Sequence, residues 1–141
     1  MSLKIRISVL NKRRRTNVRE LKKYALRVLR AFGKTEALVD ITFVDNRRIK
    51  ALNKKYMGRN RSTDVLSFFL GDEPAARKNC LIGDIYISSD MAAKNTGFYG
   101  TNLREELRRY VIHGILHLIG FADKTPGEKV LIRSLEEKYL K

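Results

Sequence analysis

The sequence predicts a mixed α+β domain: a sheet of about four strands packed with helices, its helical half toward the C-terminus. Two observations carry this. Apolar residues alternate or run together in four short segments and recur at helical spacing in five others, and the order is strand, helix, strand, helix, two strands, three helices. A chain of 141 residues that is 43% hydrophobic has enough apolar material for one core and too little length for two, so residues 1–141 read as a single domain.

Leu3, Ile5, Ile7 and Val9 alternate with Lys4, Arg6 and Ser8, the pattern of a half-buried first strand. A basic loop over residues 12–15 follows. Asn17 with Glu20 three residues on resembles a capping box, and Val18, Leu21, Tyr24, Ala25, Val28, Leu29 and Phe32 recur at helical spacing until Gly33. Val39, Ile41 and Phe43 form a second strand, after which Asp45 or Asn46 caps a short helix carrying Ile49, Leu52 and Tyr56. Residues 64–70 and 81–88 are two further strands, and the first, almost wholly apolar, is expected in the sheet interior. Ser88 or Ser89 opens another short helix. The longest apolar helix starts at Thr101 or Asn102 and runs through Leu103, Leu107, Val111 and Leu118 to Gly120. Thr125, Pro126 and Glu128 make a capping box for a terminal helix carrying Val130, Leu131, Leu135 and Tyr139. No internal repeat, low-complexity tract or linker interrupts this series.

Charge is the unusual bulk feature. Thirty Lys and Arg against 15 Asp and Glu give +15 and a pI near 10.2, which points to a polyanionic partner, nucleic acid before an anionic membrane surface. No apolar run approaches the roughly 18–20 residues that span a bilayer and no basic-apolar-small leader opens the chain, so neither a membrane partner nor export is expected. Cys80 stands alone, which excludes an internal disulfide and a thiolate metal cage and agrees with a cytoplasmic address.

The chemistry-bearing group is His113 and His117, the two histidines of the chain, four residues apart within the longest helix. At 3.6 residues per turn both imidazoles stack on one face and reach one cation at about 2.0–2.1 Å. Gly120 then breaks the helix and lets the chain turn back to offer Asp123. The spacing H-x3-H-x5-D supplies three ligands and keeps a fourth position open, as catalytic zinc sites do. Gly114 and Gly120 stand where a ligand helix must admit neighbouring backbone and then reverse. Glu106, seven residues before His113, shares its helical face and is a candidate to orient a ligand or hold water. A zinc peptidase of the H-E-x-x-H type needs Glu where Gly114 stands, which disfavours peptide hydrolysis; phosphodiester hydrolysis gains more from the many cations here. No Ser, His and acid arrangement suggests a serine nucleophile.

The stretch H-G-I-L-H-L-I-G-F-A-D, residues 113–123, resembles the H-G-x-L-H-L-x-G-[YF]-x-[HD] signature of the YbeY family of rRNA maturation factors. S-T-D-V-L-S-F at residues 62–68 and I-G-D-I-Y-I-S at residues 82–88 resemble two further family strands, in order and spacing. The resemblance implies one zinc ion held at His113, His117 and Asp123, single-strand-specific endoribonuclease activity in rRNA maturation and ribosome biogenesis, ribosomal RNA and the small ribosomal subunit as partners, and a cytoplasmic location. Three positions depart from the family: Asp123 stands where histidine is usual, Ser62 where proline is, and Met57 where an arginine follows the aromatic residue. Arg59 or Arg61 is then the candidate to supply the missing charge, Arg59 as a catalytic phosphate contact beside Glu106. Arg59, Arg61, Arg13, Arg14 and Arg15 are the candidate RNA-binding residues, all in polar or basic loops, and Arg19, Lys22, Lys23, Arg27 and Arg30 add a basic helix face. The competing reading is a non-catalytic RNA-binding assembly factor whose metal only braces the fold.

Overall fold

The computed structural model describes residues 2–70 and 80–141, and nine elements follow in the expected order. They are β1 (Leu3–Val9), α1 (Val18–Ala31), β2 (Glu36–Val44), α2 (Asn46–Met57), β3 (Val65–Phe69), β4 (Cys80–Ser88), α3 (Ser89–Tyr99), α4 (Leu103–Ile119) and α5 (Pro126–Leu140). The four strands form one sheet in the order β1-β2-β4-β3, with β1, β2 and β4 parallel and β3 antiparallel to β4.

One face of the sheet carries the main core. Ile5, Val39, Ile41, Phe43, Ile85 and Ile87 pack there against Leu21, Ala25, Val28 and Leu29 of α1 and Leu107, Val111, Ile115 and Leu118 of α4. On the other face a smaller cluster of Val44, Ile49 and Leu66, flanked by Leu52, Phe68 and Tyr86, seats α2. This second cluster explains a correction. β3, expected in the sheet interior, is an edge strand; its residues are apolar because α4 covers one of its faces and α2 the other, so burial by helices mimics burial between strands.

Helix boundaries follow the capping residues. Asn17, Asp45, Ser88, Asn102 and Thr125 each accept a backbone N–H from the first turn of the helix they precede. At α5 the full capping box forms. At α1 Asn17 accepts from Glu20 N–H at 3.2 Å, but the Glu20 carboxylate is engaged by Arg104 and Arg108 of α4, which ties α1 to α4. The apolar stripe expected on α5 is also displaced: Val130 and Leu131 are 70% and 49% exposed, whereas Ile132 and Glu136 are buried. Its buried face runs Ile132, Leu135, Glu136, Tyr139, a helical stripe whose third member is an acid and therefore escapes a count of apolar residues.

Candidate metal centre

Helix α4 lies unusually close to the sheet. A Cβ at Gly114 would stand 2.8 Å from Ile85 Cγ2, and one at Gly83 would stand 2.7 Å from Leu118, so both positions are glycine because helix and strand touch there. Ser67 of β3 donates its hydroxyl to the Gly114 carbonyl at 3.1 Å and fixes the helix along the edge strand. With position 114 turned against the sheet, His113 and His117 share an adjacent face of α4, where His113 meets Glu136 of α5. Gly120, at φ +122°, ends the helix by accepting backbone geometry a side chain would strain, and its N–H bonds back to Leu116 and His117 carbonyls. The return loop is pinned at its far end by the Thr125 capping box, where Glu128 accepts from the N–H groups of Lys124 and Thr125 at 3.2 and 2.9 Å. Thr125 therefore performs the capping, and Asp123 is released to face the histidines.

The three side chains converge. His113 Nε2 and His117 Nε2 are 2.8 Å apart, and Asp123 Oδ2 lies 3.5 and 3.3 Å from them. Atoms on a tetrahedral zinc at about 2.0–2.1 Å stand about 3.3 Å from one another, so the triangle has the size of a metal-ligand set. The donor chemistry fits as well. The buried Glu136 carboxylate lies 2.6 Å from His113 Nδ1, which makes that nitrogen the N–H donor and turns the Nε2 lone pair of the neutral ring into the triangle. Two imidazole lone pairs and a carboxylate oxygen facing one another repel unless a proton or a cation lies among them. Burial pushes His113 down, but the hydrogen bond and charge of Glu136, helped by Asp64 and Asp123, outweigh it and hold His113 above its ordinary value. Burial and the neighbouring His113 hold His117 below its ordinary value. A divalent cation among the three atoms would relieve the repulsion between them.

Glu136 is the site residue that the sequence reading missed. It sits 23 residues from His113, and its signal was an acid on the buried stripe of a helix, a place where a carboxylate persists only when paired. Arg109 of α4 completes the pairing, reaching Glu136 at 3.3 Å and Glu137 at 2.8 Å. Beside the triangle opens a cleft of about 570 Å³ between α4 and α5, lined by His113, Asp123, Asp64, Glu106, Arg109 and Tyr110 among others. Asp64 stands at the start of β3, its Oδ1 accepting the Val65 N–H at 2.8 Å. Its motif was recognised in the sequence; its position in the cleft was not.

The other candidates fall elsewhere. Glu106 is buried, lines the cleft and accepts the Thr101 hydroxyl at 2.8 Å, so the carboxylate that orients His113 is Glu136 and not Glu106. Arg59 and Arg61 sit exposed in the loop after α2, where Asn53 holds the Arg61 carbonyl at 2.9 Å, and neither lines the cleft. Arg13 and Arg14 reach Asp90 at 3.3 and 3.0 Å, and Arg15 borders a separate hollow with Asn17 and Leu103. The three candidate ligands expected from sequence spacing converge, and the candidate arginines lie elsewhere.

Fold and site together define a class: a single α+β domain whose sheet presses one helix into place so that its two histidines and a loop aspartate form a triangle that could hold a metal ion, beside a cleft. Comparison with known proteins names the family. The family described as Endoribonuclease YbeY matches residues 6–141, and the chain belongs to it. It is 38% identical over 124 residues to the endoribonuclease YbeY of Anaeromyxobacter sp. (strain Fw109-5), covering 88% of this chain and 64% of that protein. It is 35% identical over 126 residues to that of Aquifex aeolicus (strain VF5), covering 89% and 83%. The chain thus spans less than two thirds of the first relative's length. Among solved structures, the solution structure of TM1509 from Thermotoga maritima superposes with a TM-score of 0.65 at 29% identity, over 97% of this chain and 87% of that one. Among the described residues, no helix is long and apolar enough to cross a membrane.

Proposed function

We propose that the protein is a zinc-dependent endoribonuclease that hydrolyses single-stranded RNA during rRNA maturation in the cytoplasm, working with the small ribosomal subunit. The observation that carries the reading is the convergence of His113 Nε2, His117 Nε2 and Asp123 Oδ2 at metal-ligand separations in a chain of net charge +15. Imidazole with carboxylate suits zinc among the available divalent ions, and the family relation supports RNA as the substrate. When bound, such an ion supplies Lewis acidity at a phosphoryl oxygen and water nucleophilic near neutral pH.

The chain's own residues supply the rest. Glu136 accepts the His113 Nδ1–H and so keeps Nε2 aimed into the site. Asp64, whose Oδ1 accepts the Val65 N–H and which lines the cleft, is the group to take the proton of the attacking water as the new P–O bond forms and to return it to the ribose oxygen as the old P–O bond breaks. Purified protein is expected to cleave single-stranded RNA, to stop on chelation and recover with zinc, and to lose at least about a hundredfold in rate in His113→Ala and His117→Ala, the scale on which a zinc-activated nucleophile acts. Cleavage undiminished in both variants removes the mechanism. Tight RNA binding with no cleavage, indifferent to chelator, favours the assembly-factor reading instead.

A further inference from the structure

We propose that Lys129 and Arg133 of α5 form the phosphate-binding wall of the cleft, holding the phosphodiester backbone of the RNA strand next to the metal triangle; this rests on the hydrolytic reading above. The two side chains stand four residues apart, on one helical face, and both line the same cleft of about 570 Å³ as His113 and Asp123. Both residues are exposed, and among the described residues neither side chain has a hydrogen-bond or ion-pair partner. The third cation of the cleft is committed: Arg109 is spent on Glu136 and Glu137. Arg133 feels the charge of Glu137, but the guanidinium in hydrogen-bond contact with Glu137 is that of Arg109, at 2.8 Å.

The cleft's electrostatics make these two cations necessary. Carboxylates outnumber cations along its lining, so a polyanion approaching the triangle meets repulsion everywhere except at the metal and along this strip of α5. The arginines that sequence reading nominated do not relieve it, because Arg59 and Arg61 do not line the cleft and Arg13 and Arg14 are paired with Asp90. An i, i+4 pair of long basic side chains spans about 6 Å along the helix, close to the spacing of successive phosphates in a single strand. Lys129 and Arg133 are accordingly positioning groups for substrate. They lower Kd and KM and leave the chemical step to the triangle.

The test compares zinc-loaded wild-type protein, Lys129→Ala/Arg133→Ala, and a control that removes equal charge at equal spacing on α2, Lys50→Ala/Lys54→Ala. The probe is a non-cleavable 2′-O-methyl single strand of about ten nucleotides, with Kd read by anisotropy at several salt concentrations. The Lys129/Arg133 double variant is expected to weaken binding by about tenfold and to lower the salt slope by about 1.4, the release expected from two phosphate contacts on a single strand. On a cleavable strand KM rises with kcat and zinc content unchanged. If that variant matches wild type, or loses no more than the α2 control, the wall is refuted even where the wild type cleaves RNA. If binding depends on Lys129 and Arg133 but the zinc-loaded protein cleaves nothing, the wall stands and the hydrolytic reading falls.

Discussion

Asp90 and Glu136 are both nearly buried carboxylates that gather donors from distant segments, yet they do opposite things with them. Asp90, at the start of α3, accepts Asn11 Nδ2 and Arg14 Nε at 3.0 Å, the Asn46 N–H at 3.1 Å and Arg13 at 3.3 Å, joining the loops after β1 and β2 at the end of the sheet. Asn11 Nδ2 also reaches Ser89 Oγ at 2.9 Å, and these contacts tie loop to helix without aiming a further group at a site. Glu136 accepts Arg109 and His113, and the imidazole has a second nitrogen, so the order Glu136 imposes is passed on to the triangle. Clusters alike in charge and burial thus differ in function by whether a partner has another reactive atom to aim.

The largest expected separation between the two lies in metal affinity. Glu136→Ala is expected to weaken zinc binding by about 10–100-fold, the usual loss when the partner of a ligating histidine is removed, with Glu136→Gln recovering part of it through its carbonyl oxygen. Asp90→Ala leaves zinc affinity unchanged. Competition against a fluorescent chelator measures both, and equal losses in the two variants would erase the distinction.

The next effect reverses the order. Asp90→Ala leaves the buried Asn11 side chain and the Asn46 N–H without this acceptor, which is expected to cost about 1–3 kcal/mol of unfolding free energy. Chemical denaturation of zinc-free protein gives the value. A loss under about 0.5 kcal/mol, the scale of ordinary surface changes, would mean the loops hold without it.

This contrast also explains what the sequence disclosed. His113, His117 and Asp123 were legible because a helix and a glycine stop convert spacing directly into convergence; local geometry alone unites them. The element order was legible for the same reason, since capping side chains at Asn17, Asp45, Ser88, Asn102 and Thr125 act within three residues. Glu136 was not, because its contact with His113 depends on how α5 packs on α4, and the edge position of β3 depends on which helices cover it. The destination of Arg13 and Arg14 was equally hidden, 77 and 76 residues away along the chain at Asp90. Net charge is readable from composition, but whether a given cation is free or spent is decided by tertiary pairing.

The smallest effect, and the one that separates the two clusters by sign, is pH. Burial pushes Asp90 up, but Asn11, Arg14, the Asn46 N–H and Arg13 outweigh it and hold the carboxyl below its ordinary 3.8. A depressed folded value means that its stabilisation is complete above the unfolded value and is lost as pH falls through the folded one. His113 is raised above 6.5, net of burial, mainly by Glu136. Its stabilisation of the zinc-free protein is complete below 6.5 and is lost as pH rises through the folded value. In chelator-treated protein the Tm difference between wild type and Asp90→Asn should therefore shrink below about pH 3.8, and that between wild type and Glu136→Gln should shrink above about pH 6.5. Each is a matter of a few degrees, since 1 kcal/mol moves Tm by about 4 °C in a chain of this size. Zinc adds a competing demand, because it needs both rings neutral, so its affinity should begin to fall while the pH is still above 6.5, where the raised His113 takes up its proton. An affinity flat from pH 8 to pH 5 would show that the imidazoles are not the ligands, and with that the difference between the two carboxylates would lose its meaning.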